Sequence, residues 1–180
     1  INMYSFNRNL STSLRDLYGL IDETAARLAK CKEMMEKGKT IVKIKKLLEK
    51  FGPDCPLDLD CTCCDNDKRA SSKSSRGFHD DETKKTRMCA GRAKDQNDFD
   101  RFLYEELSHA LQSCGKLSQP KNHDECDDCL CKEIQAKSGA PHARDKDRII
   151  VEALLSCVDS CVPKDVDPVD KLDTITNRGK

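Results

Sequence analysis

Twelve cysteines spread along 180 residues constrain this chain more than any other feature. They stand at Cys31, Cys55, Cys61, Cys63, Cys64, Cys89, Cys114, Cys126, Cys129, Cys131, Cys157 and Cys161. Aromatics make up 4 % of the chain and charged residues 36 %, so the apolar core must be modest for the length. Cross-links that restrict the unfolded chain are the natural supplement, at about 2–4 kcal/mol each. Zinc is the competing use, since Cys126-x2-Cys129 has knuckle spacing and Cys61 with Cys63 or Cys64 can supply a second pair. The other cysteines, however, fall one or two per predicted helix, as cross-linking requires and a single metal centre does not. All twelve are therefore expected in disulfides, with the connectivity left open. Cys157 and Cys161 lie one turn apart on one helix face, so each is expected to bridge to a neighbouring element.

The apolar periodicity is helical. Leu14, Leu17, Ile21, Leu28, Cys31 and Met35 mark a helix over 12–37, with Ser11, Thr12 or Ser13 at its start and Gly38 at its end. A second helix is predicted from an N-cap at Thr40 through Ile41, Ile44, Leu47, Leu48 and Phe51 to Gly52-Pro53. The stretch 54–96 is poor in apolar residues and reads as irregular, with room for one short hairpin. Helical spacing resumes at Asn97, carries Phe99, Phe102, Leu103, Leu107, Ala110, Leu111 and Cys114, and stops at Gly115. Two further helices are predicted over 125–138 and 144–161. The expectation is a mainly α, disulfide-rich single domain over 1–163, followed by an extended tail at 164–180.

Basic and acidic residues balance at 32 each, which leaves no global field to favour nucleic acid. No apolar run approaches the roughly 20 residues that span a bilayer, so the chain is expected to be at most peripheral to a membrane.

One local pattern carries chemistry. In H-E-x-x-H a helix presents two imidazoles at i and i+4 to zinc, and the intervening glutamate acts as general base on the bound water. Here Tyr104-Glu105-Glu106-Leu107-Ser108-His109 keeps the glutamate, Glu106, and the second histidine, His109, but carries Glu105 in place of the first. On its own, E-E-x-x-H is most often an ordinary polar helix face.

Other strings change that weighting. Cys31-Lys32-Glu33-Met34, then Gly77-Phe78-His79 and Cys89-Ala90, then Leu103 to Cys114 (LYEELSHALQSC) follow one another in order. Cys131 to Gly139 (CKEIQAKSG) and Asp159-Ser160-Cys161 with Pro168 complete the set. Together they resemble the mitochondrial ATP synthase processing and assembly peptidases, a family of zinc peptidases of the intermembrane space. The corresponding family strings are L-x-H-E-L-I-H-A-x-D-x-C and C-S-E-I-R-A-x-x-L-S-G. The resemblance covers roughly residues 28 to 168 and implies a helical domain of zincin-like descent on the outer face of the inner membrane, with protein subunits of a membrane complex as clients and no small-molecule substrate. It departs from the family at Glu105, at Ser108 and at Leu111-Gln112. It also lacks the family's cysteine before an Arg-Arg-Ala string, near which only Arg148 remains.

Glu105 and His109 can still act as i and i+4 metal ligands, with Glu133 as third ligand if its helix crosses the site and Glu106 as base. An anion in place of imidazole weakens the metal as a Lewis acid. The expectation is a non-catalytic peptidase homologue without a cofactor, acting as a structural subunit or assembly factor of the ATP synthase or respiratory chain. The alternatives are an active zinc endopeptidase with Glu105 as an unusual ligand, and an unrelated secreted disulfide-rich binding protein. His79, His123 and His142 are expected in loops.

Overall fold

The computed structural model describes residues 23–65, 76–117 and 124–161. The predicted helical positions Leu14, Leu17 and Ile21, His123 and the tail at 164–180 lie outside the described residues. Helix α1 (residues 23–39) turns Cys31 and Met35 into the core, with Leu28 and Met34 partly buried beside them. Gly38 is buried inside the helix, which runs on to Lys39. Thr40 does not cap the next helix. Its hydroxyl and amide both donate to Lys37 O, closing α1, because that end carbonyl has no helical donor of its own. Helix α2 (Val42–Leu48) has Ile41 as an N-cap without a side-chain bond and buries Ile44 and Leu47. It stops short of Gly52-Pro53, tightening through i→i+3 bonds from Lys50 N and Phe51 N.

The stretch expected to be irregular contains a three-stranded sheet: β1 (Asp58–Thr62), β2 (Gly77–Asp80) and β3 (Lys85–Cys89), in the order β1-β3-β2. β2 and β3 form an antiparallel hairpin, and its turn is held by Asp80, whose carboxylate accepts from the Glu82 and Thr83 amides. β1 lies parallel to β3, with Asp58 opposite Lys85. Alternation escaped the sequence reading because Asp58 and Asp60 fill the outward positions of a short strand whose partner is distant in sequence.

Helix α3 (Gln96–Ser113) is central, packing on α2, α4, β2 and β3. Its N-cap is Asp95, which accepts from Asp98 N, rather than Asn97. Phe99, Leu103, Leu107 and Leu111 form its apolar stripe against Met88, Ile44 and Leu47. Gly115, at φ +68°, follows the Cys114 cap in the left-handed conformation that costs glycine least. Helices α4 (Glu125–Gly139), α5 (Lys146–Ser156) and α6 (Val158–Cys161) complete the domain. The single helix predicted over 144–161 is broken at Cys157, whose amide bonds to Ala153 O and Leu154 O before α6 sets off.

Ten cysteines pair. Cys31–Cys61 ties α1 to β1, Cys55–Cys114 ties the segment before β1 to the end of α3, and Cys64–Cys89 joins the ends of β1 and β3. Cys126–Cys161 and Cys129–Cys157 staple α4 to the α5–α6 pair, which removes both thiols of the knuckle spacing from any zinc site. Cys63 and Cys131 are free thiols, against the expectation that all twelve are bridged. Geometry explains Cys131: at about 100° per residue it is rotated roughly 200° from Cys129, away from the stapled face. Cys63 follows the end of β1, between Cys61 and Cys64, which have taken Cys31 and Cys89 as partners.

Candidate functional site at the α3–α4 seam

Helix α3 is buried on two sides. Opposite its leucine stripe, Glu105, Ser108, His109 and Gln112 recur at the i, i+3, i+4 spacing that makes one continuous face, and α4 packs across it. Polar contacts hold the seam. Gln112 Nε2 donates to Lys132 O at 3.0 Å and to Gln135 Oε1 at 2.9 Å, while Ser108 Oγ turns back to Tyr104 O at 2.8 Å. At the far end, Gly139 lies directly on the Tyr104 ring, where any side chain would collide with the phenol. That close approach seats the last turn of α4 and, two residues earlier, Lys137.

Glu105, His109 and Glu133 come together here, with one potential ligand atom from each lying within 4.8 Å of the others. His109 Nε2 is 3.3 Å from Glu133 Oε1. His109 Nδ1 is 3.0 Å from Gln112 Oε1, which fixes the ring. The unexpected member is Lys137. Its ammonium forms an ion pair with Glu105 Oε1 and lies 2.7 Å from Glu133 Oε2. Lys137 and Glu105 are each 8 % exposed, so neither charge has much water to rely on. Burial pushes the Lys137 ammonium towards losing its proton, but Glu105 and Glu133 outweigh that and hold its pKa above the usual lysine value. Burial likewise opposes the Glu133 charge, and His109 and Lys137 together keep its pKa below the usual carboxylate range.

Glu106 lies on the other flank, under β2. Gly77 makes room for it, since a Cβ there would sit 2.9 Å from Glu106 Cγ and 2.9 Å from Arg87 O. Its carboxyl accepts the His79 backbone amide, yet burial, and then the charges of Glu105 and Glu133, push its pKa well above normal. His79 is a strand residue, not the expected loop residue. Its Nδ1 is 3.0 Å from Thr86 Oγ1 and its Nε2 3.0 Å from Ser113 Oγ, and burial lowers its pKa. His79, Asp81, His109, Gln112, Ser113, Lys132 and Glu133 line a cleft of about 260 Å³ beside the seam. His142 stands exposed between α4 and α5, apart from the site.

No protein-family model, curated protein or solved structure matches this chain.

The fit to zinc can be tested on the residues themselves. Two carboxylates and an imidazole are suitable donors, and bonds of about 2.0–2.2 Å would hold three such atoms roughly 3.3–3.5 Å apart, the spacing at which His109 Nε2 and Glu133 Oε1 already stand. The cation they already hold is an ammonium, with no vacant coordination position and no capacity to acidify water. As the side chains stand, the seam does not fit a catalytic zinc.

Sequence reasoning quoted Lys137 only inside a string and missed Gln112 as the α3–α4 clasp. The sequence contained a faint signal for the first: Glu133 and Lys137 are an i, i+4 pair beside the small Ala136, the spacing of a lysine laid back along its own helix. Gln112 stood out only as a departure from the family string, which carries no sign of a clasp.

Proposed function

We propose that this chain is a catalytically silent relative of the ATP synthase processing and assembly peptidases, serving as a structural subunit or assembly factor of an inner-membrane complex on the intermembrane-space side. The observation that carries the catalytic half of this reading is the Lys137 ammonium seated between Glu105 and Glu133, where a hydrolytic metal would need to be. A lysine ammonium has no coordination position for water and cannot generate hydroxide at neutral pH, whereas zinc can. Burial and the Glu105 and Glu133 charges raise the Glu106 pKa well above normal, which favours its protonated form over the base. The location and the clients rest on the resemblance. Five disulfides agree with an oxidising compartment, and no helix among the described residues is long and apolar enough to cross a membrane.

A second reading, an active zinc endopeptidase, is favoured by one fact: Glu105, His109 and Glu133 do converge, and Glu106 feels the charges of both glutamates from its flank. The two separate on a single preparation. Purified oxidised protein, saturated with zinc and given an unfolded polypeptide, is expected to leave it intact. Cleavage that disappears in Glu106→Gln would reverse the assignment. Fractionation of source cells tests location, since recovery from the medium rather than from mitochondria would favour the secreted disulfide-rich alternative.

A further inference from the structure

Lys137 has a consequence beyond silence. We infer that its ammonium is the chain's built-in occupant of a divalent-cation site formed by Glu105, His109 and Glu133, and that this one side chain keeps the protein from loading metal. The inference rests on the reading of the seam given above and adds to it a latent ligand set with its own internal competitor.

Three observations carry it. The donors come from two different helices, Glu105 and His109 from α3 and Glu133 from α4, and the packing of Gln112 and Gly139 holds those helices in register. The site is thus built by tertiary structure and is not an accident of one helix face. Next, the charges are complementary to a dication: two carboxylates face one ammonium, so replacing Lys137 by a neutral side chain leaves two negative charges, Glu105 buried and Glu133 half-buried, that a divalent ion would balance. Finally, the Lys137 Nζ lies 2.7 Å from the buried Glu133 Oε2, so removing the ammonium takes away the cation closest to that oxygen. His109 Nε2 and Glu133 Oε1 already stand 3.3 Å apart, and the remaining separations, each within 4.8 Å, need close by no more than about 1.5 Å to meet zinc at its usual distances.

The experiment is zinc binding by equilibrium dialysis and chelator competition on the full oxidised chain, with cobalt(II) absorption as a probe of coordination. Lys137→Met and Lys137→Gln are expected to bind one equivalent of zinc at least about 100-fold more tightly than the parent, because the ion replaces the lost compensation of the two carboxylates. Lys137→Arg, which keeps the positive charge, is expected to stay near the parent. Adding His109→Ala to Lys137→Met should return binding to the parental level. Folded Lys137→Met and Lys137→Gln proteins that bind zinc no better than the parent overturn the inference and leave the silent-relative reading standing. Tight stoichiometric zinc on the parent overturns both. If the neutral variants do not fold unaided, they are refolded with and without zinc: recovery that depends on zinc supports the inference, and equal failure in both overturns it.

Discussion

In the part of the molecule made by α1, α2, the sheet and α3, Met35, Ile44, Leu47, Met88, Phe99, Leu103, Leu107 and Leu111 form one contiguous apolar cluster. Across α4, α5 and α6 the buried cluster is Cys126, Cys157 and Cys161, with Cys129, Leu130, Leu154 and Val158 partly covered around them. Small residues such as Ala136, Ala140 and Ala153 bring those helices close, while Ile150, Val151 and Leu155 stay exposed. In the first region disulfides reinforce a core that apolar burial already provides. In the second the sulfur bridges are most of the core. The polar seam lies between the two, so a rigid body carries Glu105 and His109, and a helix with little apolar backing carries Glu133 and Lys137.

Removing the two staples together should give the largest effect. Cys126→Ser with Cys129→Ser deletes both C-terminal bridges, and at about 2–4 kcal/mol each the loss is expected to release α4–α6 while α1–α3 stay folded. Hydrogen exchange would show protection falling in 125–161 and persisting in 96–113. Loss of protection everywhere at once would break the comparison.

The second test is the converse. Phe99→Ala empties a nearly fully buried position and is expected to cost about 3–5 kcal/mol, lowering the denaturation midpoint of the α1–α3 body. The C-terminal staples should remain oxidised, by mass mapping, under conditions that melt that body.

The smallest expected effect is at the boundary. Asp98 faces Arg76 at 3.3 Å, pairs with Arg101 and lies near Arg144, which itself pairs with Glu152. Burial works against the Asp98 carboxylate, but the Lys94 amide, Arg76 and Arg101 prevail and hold its pKa below the usual aspartate value. A depressed folded pKa means its contribution is fully present above the unfolded value of about 3.9 and is lost as pH falls through the folded one. Asp98→Asn should therefore flatten the acid limb of stability against pH and leave the slope around neutrality unchanged, measured by urea midpoints across the acid range.

Much of this architecture was legible before any coordinates. α3 was found because eighteen residues of strong 3.6-residue periodicity leave little choice of element, and Gly115 marked its end through backbone freedom alone. The hairpin that 54–96 had room for is β2–β3, but β1 was not found, since it meets a strand whose residues lie 27 positions away, as Asp58 opposite Lys85 shows, and short strands studded with Asp and Lys do not announce a pairing that remote. The presence of disulfides was readable, but the partners were not, because many connectivities satisfy the same spacings. At the seam, Glu105, Glu106, His109 and Glu133 were found from a motif. Lys137 gave only a faint signal because an i, i+4 glutamate–lysine pair is an ordinary helix-surface contact, and only the crossing of α4 over α3 makes it a buried one.

The nested staples, Cys129–Cys157 inside Cys126–Cys161, make the last three helices a conditional structure. Where the surroundings keep thiols reduced, little apolar burial remains to hold them, and the α3 face they cover, with Glu105 and His109, would lie open to water. The tertiary state of that end of the protein is therefore expected to follow the redox poise around it, with the seam closing as the staples form.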